Sequence, residues 1–287
     1  MKKIDKVAND IKKMKIQGAI SIALAAVEAL EDLIRNSEAQ DKKEFLGELE
    51  SAGGLLIRAR PTAVALPNAV NDYISEARRL NGNISEVKKA ALELGKKIIQ
   101  ENKGAMQKIA CNGAELVKNN SVIMIHCHSS TVVEILKQAK REAKRFKVIC
   151  TETRPWHQGF ISAKQLSEAG IETELIVDSA AMQVMNEVDL VLTGADAVTS
   201  DKKLINKIGT SGIALIAKEH KVPMYAAAQK LKFTDKKSSQ IVLEEREVNE
   251  ILEGKKLPKV NVRNIIFDIT PLRELSGVIT EGGIKKY

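Results

Sequence analysis

Residues 121–152 read SVIMIHCHSSTVVEILKQAKREAKRFKVICTE, and this stretch decides the fold. Two β-branched runs, SVIMIH (121–126) and FKVICTE (146–152), flank a segment whose apolar residues recur at helical spacing. A strand–helix–strand order of this length predicts two parallel strands joined by a crossover helix. The same texture predicts further strands at ETELIV (172–177), DLVLTG (189–194), VPMYAAA (222–228) and VNVRNIIFD (260–268). We therefore expect a doubly wound parallel sheet.

The chain before this region has a helical texture. From Ile4 to Met14 apolar residues recur every three or four positions, which is typical of one helix face. Further helices are predicted at 18–35, 39–57, 84–109 and from Pro61, a residue type that suits a first helical turn. No strand is predicted before residue 120. The sequence thus predicts an α/β protein with a helical domain, 1–110, and an α/β domain, 111–287.

Composition narrows the classes of partner. The 287 residues suit two modest domains, with 44% hydrophobic and 29% charged residues. The net charge of +8 indicates either a solvated lysine-rich surface or a preference for anionic partners. Aromatic residues make up only 3%, and no block of five basic residues occurs, so nucleic acid is not an expected partner.

The cysteine spacing and the length of the apolar runs indicate where in the cell the protein is expected. Cys111, Cys127 and Cys150 are an odd, widely spaced set that predicts neither a disulfide framework nor a zinc site. His126 and His128 lack further ligands nearby, so no metal site is predicted. Neither a signal-peptide core nor an apolar run of bilayer-spanning length is present. We expect a cytoplasmic protein without membrane association.

Ligands of doubly wound sheets bind beyond the carboxyl ends of the strands. The first predicted strand ends at His126 and is followed by Cys127, Ser129, Ser130 and Thr131, before a predicted helix. The positive end of that helix would lower the pKa of the thiol, and its amides and hydroxyls would bind an anion. The alternative is a buried structural cysteine with serine as helix cap.

Other polar residues follow the later strands. Arg154 comes after the second strand, where a phosphate contact and a structural salt bridge are equally expected. Asp196 follows the fourth strand as an acid/base group or a turn former. Asn206 and Lys207 precede Gly-Thr-Ser-Gly, which predicts another amide-rich bowl, and Lys232 is a lone cation. Taken together, these residues indicate acid/base chemistry on a phosphorylated small molecule.

Six segments together resemble one protein family. They are RPTAVALPNAV (60–70), HCHSSTV (126–132), ETRPWHQG (152–159), TGADAV (193–198), INKIGTSGIALIAKEH (205–220) and FDITPLRELSGVITEGG (267–283). The family contains the alpha, beta and delta regulatory subunits of eukaryotic initiation factor 2B, methylthioribose-1-phosphate isomerase and archaeal ribose-1,5-bisphosphate isomerase. The resemblance covers nearly the whole chain and implies a helical N-terminal domain with a Rossmann-like C-terminal domain.

The resemblance also implies an activity. The isomerases carry a cysteine after the first strand and an aspartate in a GAD motif, which this chain matches at Cys127 and Asp196. Methylthioribose-phosphate enzymes usually read GADR, with Asn-Gly-Asp before Asn-Lys, whereas this chain reads GADAV and SDKKLINK. The chain is thus more similar to the ribose-1,5-bisphosphate isomerases. An initiation factor 2B-like regulatory role, with a translation factor as partner, and the methylthioribose-1-phosphate reaction are the alternatives.

Site residues follow from the same resemblance. It implies Cys127 as proton acceptor and Asp196 as proton donor, without a metal or redox cofactor. A phosphate would be held by Ser129, Ser130 and Thr131, sugar oxygens by Asn206 and Lys207, and a second phosphate by Lys232. The helical domain would supply Arg60 and the segment Gln17, Gly18, Ala19 and Ile20.

The chain departs from the family at one of these positions, residue 17. The family often has Arg-Gly-Ala where this chain has Gln17-Gly18-Ala19, so a bidentate phosphate clamp is missing. The resemblance further implies homo-oligomers, dimers that build hexamers, and AMP as an effector.

Overall fold

The computed structural model describes residues 2–60 and 62–287. Its chain separates into two compact units, residues 1–104 and residues 105–287. Pro61, which the sequence places in the first turn of a helix, lies outside the described residues.

The first unit consists of helices. They are α1 (Lys2–Lys12), α2 (Ala19–Arg35), α3 (Lys42–Ala59), α4 (Ala65–Arg79) and most of α5 (Ile84–Ala114), which continues into the second unit. The carboxylate of Asp41 accepts from the amide of Glu44 at 2.8 Å and caps α3. Gly53 allows α3 to approach α4, because a Cβ there would lie 2.8 Å from Val70 and Ile74. The helical texture predicted before residue 110 is confirmed.

The second unit is a layered α/β structure. Its strands are β1 (Ser121–His126), β2 (Phe146–Thr151), β3 (Glu172–Ile176), β4 (Leu190–Thr193), β5 (Ala197–Val198), β6 (Lys203–Lys207), β7 (Met224–Ala227), β8 (Phe267–Pro271), β9 (Gly277–Thr280) and β10 (Gly283–Lys285). Its helices are α6 (Ser130–Arg141), α7 (Gln158–Glu168), α8 (Ala181–Val184), α9 (Thr210–Glu219) and α10 (Asn249–Leu252). The main sheet has the order β10-β9-β7-β4-β1-β2-β3.

All neighbours in the main sheet are parallel except β10, which pairs antiparallel with β9. Successive side chains of β1 point into different layers. Ile123 and Ile125 pack with the apolar faces of α6 and α7, whereas Met124 packs with α8 and α9. Burial on both faces explains why β1 is apolar almost without interruption. The expected doubly wound parallel sheet is therefore confirmed.

A second, antiparallel sheet was not predicted. It has the order β5-β6-β8, and β6 lies in register with β8, so that Asn206 is opposite Asp268. The predicted strand at 260–268 is wrong for most of its length, because the strand begins at Phe267 and only Ile265 forms an isolated bridge before it. β9 and β10 were also missed, since with four and three residues they are too short to show a strand period.

A search of the described residues found no helix both long enough and apolar enough to span a membrane.

Candidate active site

The turn between β1 and α6 presents a thiol beside a helix N-terminus. Cys127 has a φ of 67°, a conformation that a non-glycine residue holds only when its surroundings fix it. Its amide donates to Oγ1 of Thr153 at 3.0 Å. The hydroxyl of Ser129 caps α6 by accepting from the amide of Val132. In the described contacts no hydrogen bond uses the amides of Ser130 and Thr131, which are therefore available to an anion.

The thiol of Cys127 is protonated in this environment. Burial raises its pKa to about 12, the positive charge of Lys207 opposes this rise, and Asp196 adds to it. Its sulfur donates to Oε1 of Gln158 at 3.4 Å. The expectation that the helix N-terminus would lower this pKa is wrong, because desolvation outweighs the helix dipole.

His126 and His128 have structural partners. The ring of His126 is buried, with Nδ1 2.7 Å from Oγ1 of Thr151 and Nε2 2.7 Å from the carbonyl oxygen of Ile208. A carbonyl only accepts, so Nε2 carries the proton and Nδ1 accepts from the hydroxyl. Burial lowers the pKa of both histidines. His128 Nδ1 lies 3.0 Å from Oγ of Ser162.

The end of β4 approaches the same turn. A Cβ on Gly194 would lie 2.9 Å from Cβ of Ser129, so only glycine permits this close contact. Asp196 follows, and its amide donates to the carbonyl oxygen of Ile205 at 2.9 Å. The charge of its half-buried carboxylate acts on both Cys127 and Lys232. Asp196 therefore lies at the carboxyl edge, between a thiol and an ammonium group.

Asn206 and Lys207 come from β6 of the small sheet. The side-chain amide of Asn206 is buried and donates to Oγ1 of Thr193 and of Thr210, each at 2.9 Å. These bonds fix the amide group with its oxygen 3.9 Å from the position of a Cβ on Gly194. The ammonium of Lys207 lies 5.5 Å from the ring centroid of Phe267. Both residues are thus held rigidly beside the end of β4.

The N-terminus of α9 is closed by a carboxylate from β8. Oδ2 of Asp268 accepts from the amides of Gly209 and Ser211 at 2.9 and 3.0 Å, and from Oγ of Ser211 at 2.9 Å. The amide-rich turn expected at Gly-Thr-Ser-Gly therefore has two of its amides occupied by the carboxylate of Asp268. Oδ1 of Asp268 is buried without a hydrogen-bond partner among the described residues. Burial raises the pKa of this carboxyl group.

Lys232 is an unpaired cation in the interior. Its side chain is 6% exposed, and no described residue forms a hydrogen bond or ion pair with its ammonium group. Burial lowers its pKa, and Asp196 opposes that shift. A largely buried ammonium group with one carboxylate acting on it is a chemically suitable receptor for an anion.

The predicted residues of the helical domain lie in the first unit. Nε2 of Gln17 donates to the carbonyl oxygen of Met14 at 3.1 Å, and Gly18 precedes α2 with a φ of 87°. Ala19 and Ile20 begin α2, and Arg60 follows α3. The structure brings together the second-unit members of the predicted set. The participation of these first-unit residues stays a prediction.

Sequence reasoning missed four supporting residues. Gln158 accepts from the thiol, Thr153 accepts from the Cys127 amide, and Asp178 accepts from the amides of Thr153 and Arg154, each at 2.8 Å. Asp268 is the fourth. Asp178 directly follows β3, so the strand-end rule could have found it. Asp268 could not be found in this way, because it belongs to the antiparallel sheet.

No three His, Cys, Asp or Glu side chains of the described segments, 2–60 and 62–287, are grouped as a metal ion would require. The chemistry present is a thiol, a carboxylate, a buried amide, two ammonium groups and open helix amides.

Comparison with known proteins gives consistent matches over almost the whole chain. The family model described as "Initiation factor 2 subunit family" matches residues 15–286. A relative named ribose 1,5-bisphosphate isomerase, from Methanocaldococcus jannaschii, is 40% identical over 96% of this chain and 88% of its own.

Solved structures agree with this match. Translation initiation factor eIF-2B from Pyrococcus horikoshii has a TM-score of 0.84 at 30% identity, covering 98% of this chain and 96% of its own. A 5-methylthioribose 1-phosphate isomerase from the same organism has a TM-score of 0.84 at 32% identity, covering 98% and 83%.

Proposed function

The chain belongs to the initiation factor 2 subunit family, and from this membership we propose that it is a ribose-1,5-bisphosphate isomerase. The reaction converts α-ribose 1,5-bisphosphate into ribulose 1,5-bisphosphate. Relatives that carry this name are 34 to 40% identical to the chain over nearly its whole length. The observation that carries the proposal is the grouping of the Cys127 thiol, the Asp196 carboxylate and the unpaired Lys232 ammonium at one sheet edge.

The reaction moves protons without changing the composition of the sugar. The C2 carbon and the C2 hydroxyl each lose a proton, while C1 and the former ring oxygen each gain one. The C1–ring oxygen bond breaks, and a double bond between C1 and C2 exists until C1 is protonated. Cys127 as thiolate accepts the C2 proton, and Asp196 in its acid form donates. Each group contributes about 10²- to 10⁴-fold to the rate.

The reaction needs two particular protonation states. In this fold the sulfur holds a proton, whereas the reaction needs the thiolate form of Cys127 and the acid form of Asp196. Lys207, whose charge favours the thiolate, lies on the side of the site where sugar oxygens would bind. A low-dielectric site makes this charge effective.

Two unlike anion receptors support a bisphosphate substrate. The open amides and hydroxyls of Ser129, Ser130 and Thr131 would hold one phosphate at the N-terminus of α6. Lys232 would hold the other, and its missing partner in the described structure supports this role. Asn206 and Lys207 would contact the sugar oxygens. The roles of Arg60 and residues 17–20 rest on the family resemblance alone.

The wider assignment follows the family resemblance. We include assembly into dimers and hexamers of this chain, AMP as an effector, and a cytoplasmic location. The proposed reaction uses no cofactor. A regulatory role toward a translation factor and the methylthioribose-1-phosphate reaction are the competing assignments, because relatives with those names also match the chain.

One assay separates these functions. The purified protein is incubated with α-ribose 1,5-bisphosphate and, in parallel, with 5-methylthioribose 1-phosphate, and both mixtures are followed by ³¹P and ¹H NMR. Ribulose 1,5-bisphosphate in the first mixture alone is the expected result. Turnover of the thio-sugar would assign the chain to that reaction instead, and no turnover of either by folded protein would favour the regulatory role.

Replacement of the thiol tests the mechanism within the same assay. Cys127→Ser is expected to lower turnover by about 10²- to 10⁴-fold, because a hydroxyl is a far poorer base under these conditions. Cys111→Ser, at an exposed position of α5, is the matched control and should retain activity. Circular dichroism should show the same fold for both variants. An unchanged rate in Cys127→Ser would contradict the assignment of the base.

A further inference from the structure

A segment far from the thiol in sequence holds the loop that contacts the thiol. The segment comprises residues 244–253 and is called the strap below. It includes α10 and lies before β8 in the chain. Residues 152–158, which follow β2, are called the β2 loop. Strap and loop both belong to the second unit, and two side chains of the loop, Arg154 and Trp156, bind the strap.

Arg154 makes the first connection. Its guanidinium group forms an ion pair with the carboxylate of Glu253 and donates to the carbonyl oxygen of Ile251 at 3.3 Å. The same group lies 3.1 Å from Nε2 of His157 within the loop. The planar guanidinium group can make these contacts together, because its N–H donors point in several fixed directions. The arginine that the sequence left open between a phosphate contact and a salt bridge is therefore engaged by the strap.

Trp156 makes the second connection. The guanidinium of Arg246 lies 5.5 Å from its ring centroid. Trp156 also helps to lower the pKa of Glu250. Arg246 is 17% exposed and pairs with Glu244 and Glu250, each at 2.9 Å. Burial opposes ionisation of Glu250, but its hydrogen bonds outweigh this effect and lower its pKa. The strap thus presents a set of ion-paired side chains to the ring of Trp156.

The strap itself is anchored from the chain that leads to β8. The buried side chain of Asn264 donates to the carbonyl oxygen of Glu247 at 3.0 Å and to Glu250 at 2.8 Å. The amide of Arg246 donates to the carbonyl oxygen of Asn264 at 3.1 Å. Both hydrogen bonds come from the amide nitrogen of Asn264, whereas its buried side-chain oxygen has no partner among the described residues. Directed hydrogen bonds from a buried side chain restrict the strap to few arrangements.

The inner side of the β2 loop meets the active site. Thr153 accepts from the amide of Cys127, and Gln158 accepts from its thiol. Thr153 and His157 both have left-handed backbone conformations, with φ values of 62° and 49°. Such residues persist where surrounding contacts over-determine them. The contacts of Arg154 and Trp156 with the strap supply that constraint from the outer side of the loop.

We propose that the strap is a positioning element for the reaction, which fixes the β2 loop and through it the Cys127 thiol. Arg246 and Glu250 are its central positioning residues, and neither touches the thiol. The effect on turnover rests on the proposed isomerase function. The effect on the thiol is independent of that function, because the contacts with Thr153 and Gln158 exist in the chain whatever it catalyses.

The test measures thiol reactivity and turnover in the same full-length variants. Alkylation of Cys127 by iodoacetamide is followed by peptide mass spectrometry in a Cys111→Ser background, which removes the exposed thiol. Arg246→Ala is expected to speed alkylation by about tenfold, since a loosened loop admits water and reagent. In turnover it should lower kcat by about 10- to 100-fold with little change in KM, because the reacting group is misplaced.

Two further variants make the test specific. Arg246→Lys keeps a cation over Trp156 and should recover part of the wild-type behaviour in both measurements. Arg263→Ala removes an exposed ion pair with Glu245 at the edge of the strap, and this pair does not contact the β2 loop. It should alkylate and turn over like the wild type. Thermal unfolding of each variant confirms that folded protein is measured.

The outcomes are distinct. Faster alkylation in Arg246→Ala and not in Arg263→Ala supports the strap, even if the wild type lacks isomerase activity and the proposed function fails. Alkylation at the wild-type rate in folded Arg246→Ala overturns the strap. An equal rise in Arg246→Ala and Arg263→Ala also overturns it, because general loosening would then explain the change.

Discussion

The thiol of Cys127 and the ammonium of Lys207 lie close enough that the lysine charge favours ionisation of the thiol. The carboxylate of Asp196 acts in the opposite sense on the same sulfur. Burial is the larger influence and keeps the thiol protonated. The reactivity of one cysteine is therefore set by two opposed charges within a desolvated site.

This opposition predicts that two charge-removing variants act in opposite directions. Lys207→Met should raise the thiol pKa and slow alkylation of Cys127 severalfold, whereas Asp196→Asn should lower it and speed alkylation severalfold. The rates are measured with iodoacetamide in a Cys111→Ser background at a fixed pH. A change of the same sign in both variants would show that access, and not charge, limits the reaction.

The pH dependence has a defined sign. The thiol pKa is about 12 in the fold, against an ordinary value of 9.0, so the folded chain keeps a proton that the unfolded chain releases. The contribution of this group to stability is complete below about pH 9 and is lost as the pH rises toward about 12. The alkylation rate of Cys127 should accordingly still rise at about pH 10. A plateau near neutral pH would indicate that the thiol is already ionised at that pH and would contradict the raised pKa.

Lys232→Met should separate activity from stability. Replacing this lysine, whose pKa is lowered by burial, with an apolar residue is expected to raise the free energy of unfolding by about 1 kcal/mol. The same change should raise KM for the bisphosphate by about 10- to 100-fold, because a charge-assisted hydrogen bond is lost. Denaturant unfolding and steady-state kinetics measure the two effects.

Lys230 supplies the matched control for this variant. It lies in the same short helical turn but is exposed. Lys230→Met should leave both KM and stability close to the wild-type values. A loss of stability in Lys232→Met would mean that the ammonium has a structural partner and would remove the argument for an anion receptor.

Asp268→Ala should affect both the fold and the site. The variant leaves the N-terminal amides of α9 without their acceptor, at a cost of about 1–2 kcal/mol in the free energy of unfolding. Turnover should fall as well, since the α9 turn supports Asn206 through Thr210. Asp41→Ala removes the cap of α3 in the helical unit and should cost similar stability at unchanged kcat. Equal kcat in both variants would make Asp268 a purely structural cap.

The sequence predicts the main sheet well and the small sheet poorly. β1, with residues 121–126, was predicted at its observed bounds, because a strand buried on both faces has an uninterrupted apolar pattern. β6 and β8 have no such pattern and gain their hydrogen bonds from each other across about sixty residues. No local signal reports a pairing of that sequence separation.

The same distinction applies to the candidate site. Cys127 directly follows β1 and Asp196 lies three residues after the end of β4, so the strand-end rule finds both. Asp268 reaches Gly209 from the antiparallel sheet, and only the three-dimensional structure reveals it. The protonation state of Cys127 was mispredicted because burial is a tertiary property, whereas the helix N-terminus is visible in the sequence.

The closure of α9 by Asp268 has a consequence for the direction in which a ligand can enter. Of the two helix N-termini described above, that of α9 is occupied by Asp268, whereas no described hydrogen bond uses the amides of Ser130 and Thr131 in α6. With the binding roles proposed above, a molecule with a phosphate at each end would meet backbone dipoles at one end and the Lys232 ammonium at the other. Its two ends would then not be interchangeable, because Asp268 leaves only one of these two helix N-termini open to a phosphate.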